Sequence, residues 1–532
     1  MWTRAERGVP RLQKRLGRRH QHQQYYSSSL STPAINMTTQ QPPTKKLKAA
    51  VILKQPQPPL ILRATTEADH VSSPCIAIFA DLILVGPANV SPIKNGCVVI
   101  QYGKILHVLQ KMEDEKEYNK WAAKDSPDAY HHSKYYVKVL MPGMWDVHTH
   151  FIGATSRTKP MIEQQWNHCF EDRAVKVGRD VSRLGQVLNS GFTSVREVGG
   201  LGKHLKLLVK EGTCPGPMIY HANVPIHITG GHCDLPSDVP LSCYGSICTV
   251  QDADGDGALF GKGSDGTSDC LKSVRRNLRA GADVIKLCCS GGVMSQTSGL
   301  PTEPQFSPHE IKTMTDEASR HNVLVCAHCH SAQGILNALN NGVKCIEHGT
   351  LADEECIKVM LEKDATLVPT RWVIEDLVGE GGIDGPRPSG MSELSWKKMK
   401  MVYGASTVAH KAAIKAGVRI AVGCDVFVAE GYGTSGKELK HLVDLGMTPA
   451  QAIESATVNG PICLGPARAP KSGAIQVGYD ADLICVDSNP LDDVTILANP
   501  DKIPIVFKGG VVVKDTSDNT TYCQPATEGL NW

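Results

Sequence analysis

Aromatic residues are scarce, 5% of the 532, and no run of 18 apolar residues occurs. The second absence leaves nothing long enough to span a membrane as a helix. Net charge is also nearly absent: 56 Lys+Arg stand against 54 Asp+Glu, a balance of +2. Nucleic acid is therefore not an expected partner on electrostatic grounds. No secretory leader precedes the 18 cysteines, and they do not frame short loops. Reduced, mostly buried thiols in an intracellular protein are expected, cytoplasmic or mitochondrial. Acidic residues are missing from the start of the chain, where Glu6 is the only one in the first 66. Arg4, Arg7, Arg11, Lys14, Arg15, Arg18 and Arg19 precede a Ser-rich and then a Gln/Pro-rich stretch. That composition suits a mitochondrial presequence, a disordered basic tail, or an extension upstream of a working start at Met37.

What is plentiful is glycine (49) and proline (32), as in an α/β protein with many short connections. The length suggests one large domain and a smaller one. Residues 1–73 are set aside as a disordered or targeting extension, and 516–532 as a tail. Short strand patterns at Ile76–Val85 and Gly96–Val108 have counterparts at Gly473–Asp487 and Ile505–Val513. They predict a small antiparallel β domain of the sandwich type, built from both flanks, 74–140 and 466–515. Between them, 141–465 alternates helical stretches with eight apolar ones: Val137–Met141, Phe192–Val195, Met218–Ile228, Asp283–Cys288, Val323–Ala327, Lys344–Ile346, Ala365–Pro369 and Val418–Val422. Ser307-Pro-His-Glu310 and Thr448-Pro-Ala-Gln451 read as capping boxes with proline at the first helical position. Eight βα units predict a (β/α)8 TIM-type barrel with its site at the strand ends. An open doubly wound sheet is the alternative, weakened by the lack of a Gly-x-Gly-x-x-Gly turn after the first strand.

The strand ends carry the chemistry. His148 and His150 stand at i, i+2, which on a strand puts both imidazoles on one face. Two neutral imidazoles side by side suit a zinc-type ion, although two ordinary histidines in a strand-end turn fit the same residues. Lys286 sits inside an apolar run, a costly place for a lone cation. His328 and His330 end the fifth strand, His348 the sixth and Asp425 the eighth. Each alone is weak evidence; their joint occurrence at the ends of one barrel's strands is not. The Cys326/Cys329 spacing is incidental to its histidines. Cys288 and Cys289 lack a second pair at zinc-ligand spacing. Cys233–Ser268 reads as a long surface loop near the site. Within it, Asp252–Gly257 imitates half a calcium loop, but Gly263 stands where a bidentate glutamate is required.

The set Pro142-Gly-Met-Trp-Asp-Val-His-Thr-His150, Ile228-Thr-Gly-Gly-His232, Val284-Ile-Lys286, Ala327-His-Cys-His330, Ile346-Glu-His-Gly-Thr350, Gly423-Cys-Asp425 and Asp480-Ala-Asp-Leu-Ile484 resembles the amidohydrolase superfamily over roughly residues 75–515. The subgroup it resembles is the imidazolonepropionase- and prolidase-related one, which includes Xaa-Pro and Xaa-Arg dipeptidases and the fungal ochratoxin-hydrolysing amidase. The resemblance implies two divalent ions, zinc favoured: His148, His150 and Asp425 on one, His328 and His348 on the other. It also implies Lys286 carboxylated by carbon dioxide as the bridge between them. Hydrolysis of an N-acyl amino acid or dipeptide amide by metal-activated hydroxide follows, with Asp425 as general base and then acid. His232 and His330 are candidates for binding this small-molecule substrate, with a loop-anchoring or supporting role as the alternatives. Arg196 is a candidate for a substrate carboxylate or a buried strut. A homo-oligomer is implied. The competing readings are an imidazolonepropionase-like cyclic-amide hydrolase and a catalytically silent barrel.

Overall fold

The computed structural model describes residue 65 and residues 75–112, 115–125, 133–160, 163–164, 167, 171–234, 263–297 and 299–517. The rest of the N-terminal extension, the Asp252–Gly257 run and the tail beyond 517 lie outside the described residues. Strands β1 (Ile76–Ile83), β2 (Ile93–Gln101), β3 (Lys104–Leu109) and β4 (Ser133–Pro142) come first. Eight further strands follow: β5 (Met144–Thr149), β6 (Phe192–Glu197), β7 (Met218–His221), β8 (Val284–Cys288), β9 (Leu324–Cys329), β10 (Cys345–His348), β11 (Thr366–Val368) and β12 (Arg419–Ile420). The last are β13 (Leu483–Val486), β14 (Ile505–Lys508) and β15 (Val511–Asp515).

The outer strands form a seven-stranded sheet in the order β15-β14-β13-β4-β1-β2-β3. The two flanks of the chain meet where β4 pairs antiparallel with β13, Leu483 opposite Pro142. Alternation along β1 sends Ile76, Ile78 and Ala80 into one cluster, with Ile100, Leu140 and Phe507. It sends Ala77 and Phe79 into the other, with Cys97 and Tyr118. The result is a sandwich-like β domain. It is not wholly antiparallel as expected, because β1 runs parallel to β4. The helix Glu115–Asp125, between β3 and β4, lies in the crossover that a parallel pair requires.

One further expectation is corrected. Val137–Met141 is not the barrel's first strand but part of β4, and β5 takes that place. Gly143 separates them: a Cβ there would lie 2.3 Å from Thr193 Oγ1. The backbone breaks at that point, with Gly143 N donating to Asp482 O and Met144 N to Gly191 O.

β5 to β7 and β8 to β12 form two parallel arcs. Backbone hydrogen bonds join the arcs at both seams. At one, Ile226 N donates to Lys286 O and Cys288 N to Ile226 O; at the other, Val147 N donates to Val422 O and Asp425 N to His148 O. Eight parallel strands thus make the expected (β/α)8 barrel. Val284, Cys326, Cys345 and Val368 pack inside it, while Ile285, Leu287, Val325 and Ile346 face the surrounding helices. Both predicted capping boxes form, on the helices Pro308–Arg320 and Pro449–Ser455. No helix among the described residues is long and apolar enough to cross a membrane.

Candidate active site

Period-two alternation on β8 places Lys286 on the inner face with Val284, and on β9 it places His328 there with Cys326. On β10 the inner positions belong to Cys345 and Glu347. His348 is re-aimed to the mouth by its left-handed backbone (φ 70°). Asp425 is left-handed too (φ 53°). Non-glycine residues hold that conformation only where the surroundings over-determine it. For Asp425 the surroundings include a 2.6 Å bond from its N–H to His148 O. Eight of the nine candidate residues picked out from the sequence, all but Arg196, line one pocket: His148, His150, His232, Lys286, His328, His330, His348 and Asp425.

The ring contacts form a chain. His148 lies 5.3 Å from His150 and 5.0 Å from His348, centroid to centroid. His328 lies 4.7 Å from His348, 4.6 Å from His330 and 3.9 Å from His232. Burial is the first cause holding the imidazoles of His150, His232, His328 and His348 below their usual range, so they are neutral. His330 is lowered to about 3, again by burial.

Hydrogen bonds on the far side of each ring fix which nitrogen faces the pocket. His150 Nδ1–H donates to Gly199 O at 2.7 Å, and His148 Nδ1–H to Glu347 Oε2 at 2.8 Å. Each Nε2 is thereby turned to the pocket, where it faces Asp425 Oδ1 at 3.1 and 3.4 Å. Three candidate ligand atoms converge there, and a cation is a group that such a set fits. The Asp425 carboxyl, which burial would raise, is held well below the usual range by His148 and His150. His348 Nδ1 is engaged by Thr370 Oγ1 at 2.7 Å. His328 is turned the other way, with Nε2–H donating to Gly291 O at 3.3 Å, so its Nδ1 is the nitrogen left for an ion. Lys286 is 3% exposed and lines the pocket beside these imidazoles.

Sequence reasoning passed over Glu347. It is fully buried and bridges Arg196 Nη2, at 2.6 Å, to His148. Burial would raise its carboxyl, but Arg196 and then His148 hold it below the usual range. Arg196 is thus a strut, with Nε bonded to Val147 O at 2.6 Å; it does not line the pocket. Asp146 is another residue missed, accepting from His148 N, Cys424 N and Ser435 Oγ. The available signal was a charge of each sign inside apolar strands, Arg196 in β6 and Glu347 in β10. Glu347→Gln is expected to weaken divalent-ion affinity roughly 10–100-fold. Stranding Arg196 should also cost about 3–5 kcal/mol of stability. Zinc titration and urea unfolding of the variant check both effects.

The opposite wall is apolar: Val373, Ile374, Leu377, Met399, Val402 and Phe427. Trp372–Ser395 reads as a loop in sequence, but the helix Arg371–Val378 occupies its first part. It places Val373, Ile374 and Leu377 on one face at i, i+1 and i+4.

Two buried histidines outside the pocket lining, His410 being bonded through Nε2 to His348 O, contribute to the pH dependence of stability. Burial lowers His221 and His410 to about 4 each, from 6.5. Their contribution is complete above pH 6.5 and is lost as the pH falls toward 4, by up to about 1.4 kcal/mol per pH unit for each group. Urea unfolding at pH 7 and pH 5 should show wild type losing more stability, or gaining less, across that step than His221→Gln does. An equal slope in the variant would remove His221 from the account.

Residues 139–513 match the model of the amidohydrolase family. Ochratoxinase from Aspergillus niger is 35% identical over 464 residues, 86% of this chain and 89% of that protein. The crystal structure of A. niger ochratoxinase superposes with a TM-score of 0.72 at 33% identity, covering 83% of this chain and 96% of that one. A Xaa-Pro dipeptidase crystallised with bound methionine gives 0.69 at 27% identity, covering 83% and 100%. The match spans the barrel, every pocket residue named above and strands from both flanks. The chain belongs to the amidohydrolase family and is a hydrolase of amide bonds.

Proposed function

We propose that the chain is a binuclear metal-dependent amidohydrolase cleaving an N-acyl amino acid or dipeptide whose acyl side is bulky and apolar. The observation that carries this reading is the convergence of His148 Nε2 and His150 Nε2 on Asp425 Oδ1, beside Lys286, His328 and His348. His148, His150 and Asp425 would hold one divalent ion, and His328 and His348 the other. Lys286, carboxylated by carbon dioxide, would supply an anion beside them; imidazole and oxygen donors favour zinc. Bound there, such ions polarise a carbonyl and bring a water's pKa to about 7. Asp425 takes the proton of the attacking water and passes it to the leaving nitrogen. His330 and His232 stand at the same pocket and orient the substrate's polar groups, while the wall from Val373 to Phe427 takes the apolar part. Relatives named ochratoxinase and Xaa-Pro dipeptidase support this class. The test is a screen of zinc-loaded protein against N-acyl amino acids, Xaa-Pro and Xaa-Arg dipeptides, ochratoxin A and cyclic amides. Turnover of apolar N-acyl amino acids is expected. Turnover of cyclic amides alone would contradict the reading.

A further inference from the structure

Cys233, in the turn after β7, and Cys288, at the end of β8, are 55 residues apart in sequence, yet their sulfurs meet at 3.7 Å. Two thiolates held about 2.3 Å from one tetrahedral zinc-sized ion stand about 3.8 Å apart, so this spacing is already that of a chelating pair. His232 completes a triad whose ligand atoms all lie within 4.8 Å of one another. The turn is held in place. His232 N donates to Gln305 Oε1 at 3.1 Å, and Gly230 N donates to Asp234 Oδ2 at 2.5 Å. The Ile226–Leu287 bridge sets the approach to β8, and Cys233 keeps a left-handed backbone (φ 72°). Both cysteines are buried, at 4% and 1% exposure. Cys233 and His232 nevertheless line the active-site pocket.

We propose that His232, Cys233 and Cys288 form a separate site for one soft cation of the Cd2+ or Cu+ class, and that filling it inhibits the enzyme. Sulfur donors select such ions, whereas the Asp425 cluster offers only nitrogen and oxygen. Capture releases the two thiol protons to solvent and leaves the cation on two thiolates and an imidazole, with no electron transferred. Three protein ligands leave a fourth position open. The captured ring is the one stacked at 3.9 Å on His328, so the occupied site withdraws His232 from the pocket.

The test titrates reduced, zinc-loaded enzyme with Cd2+, following equilibrium dialysis and the ultraviolet thiolate-to-cadmium absorption. Wild type and the control Cys485→Ser, in the outer sheet, are expected to bind about one Cd2+ per chain more than Cys233→Ser or Cys288→Ser. The absorption of that ion should vanish in both variants, and wild-type activity should fall across the same step. Equal binding by folded Cys233→Ser and Cys288→Ser would overturn the site, leaving a thiol–thiol hydrogen bond. Should either variant not fold, 113Cd NMR of the wild type decides. A resonance shifted by two sulfurs and a nitrogen supports the proposal, and its absence refutes it.

Discussion

Replacing Lys286 by alanine should lower kcat/KM for amide hydrolysis by roughly 10²–10³-fold or more, as expected when one preorganised charge leaves an active site. The residue is buried in the pocket, among imidazoles and beside the Asp425 carboxylate. On the proposed function, a carboxylated lysine there would supply an anion for the two cations. The alanine variant vacates room for that anion. A short carboxylic acid should therefore restore part of the rate, and arginine at the same position should not be rescued. Circular dichroism separates this from unfolding. Wild-type kcat/KM in folded Lys286→Ala would remove the lysine from the chemistry altogether.

Asp425→Asn tests a different element and should be as damaging. Asparagine keeps the size of the side chain but loses the negative charge and the ability to take a proton. Loss of a positioned general base costs typically 10²–10⁴-fold, and that fall in kcat is expected here. The comparison with Glu347→Gln is informative. Glu347 acts through the His148 ring, so excess zinc should recover most of its activity, whereas Asp425→Asn should stay slow at saturating zinc. Recovery of Asp425→Asn to within about tenfold of wild type, less than a base typically supplies, would reassign the proton transfer. His330, across the same pocket, would be the next residue to test.

Much of this architecture was legible because strand alternation and βα order leave their marks in sequence. The inward positions of Lys286 on β8 and His328 on β9 follow from alternation, and the capping boxes mark their helices directly. Val137–Met141 misled because an apolar run does not disclose a layer change. The close approach of Thr193 to Gly143, which leaves no room for a Cβ, and the change of backbone partners there show that β4 ends before β5 begins. His348 and Asp425 depend on left-handed backbone, which motif spacing does not announce. Glu347 was hidden by its neighbour: in Ile346-Glu-His the histidine drew the chemistry, while the glutamate turned inward to pair with Arg196. Cys233 and Cys288 could not be paired from sequence, since the barrel seam at Ile226 and Leu287 brings them together.

The most direct measurement is the number of divalent ions per chain in fully active, purified enzyme, set against activity as ions are removed and returned. About two ions per chain at the His/Asp/Lys cluster are expected, with activity rising only as the pair fills and Lys286→Ala retaining fewer. Full activity at one ion per chain, or none, would contradict the binuclear centre.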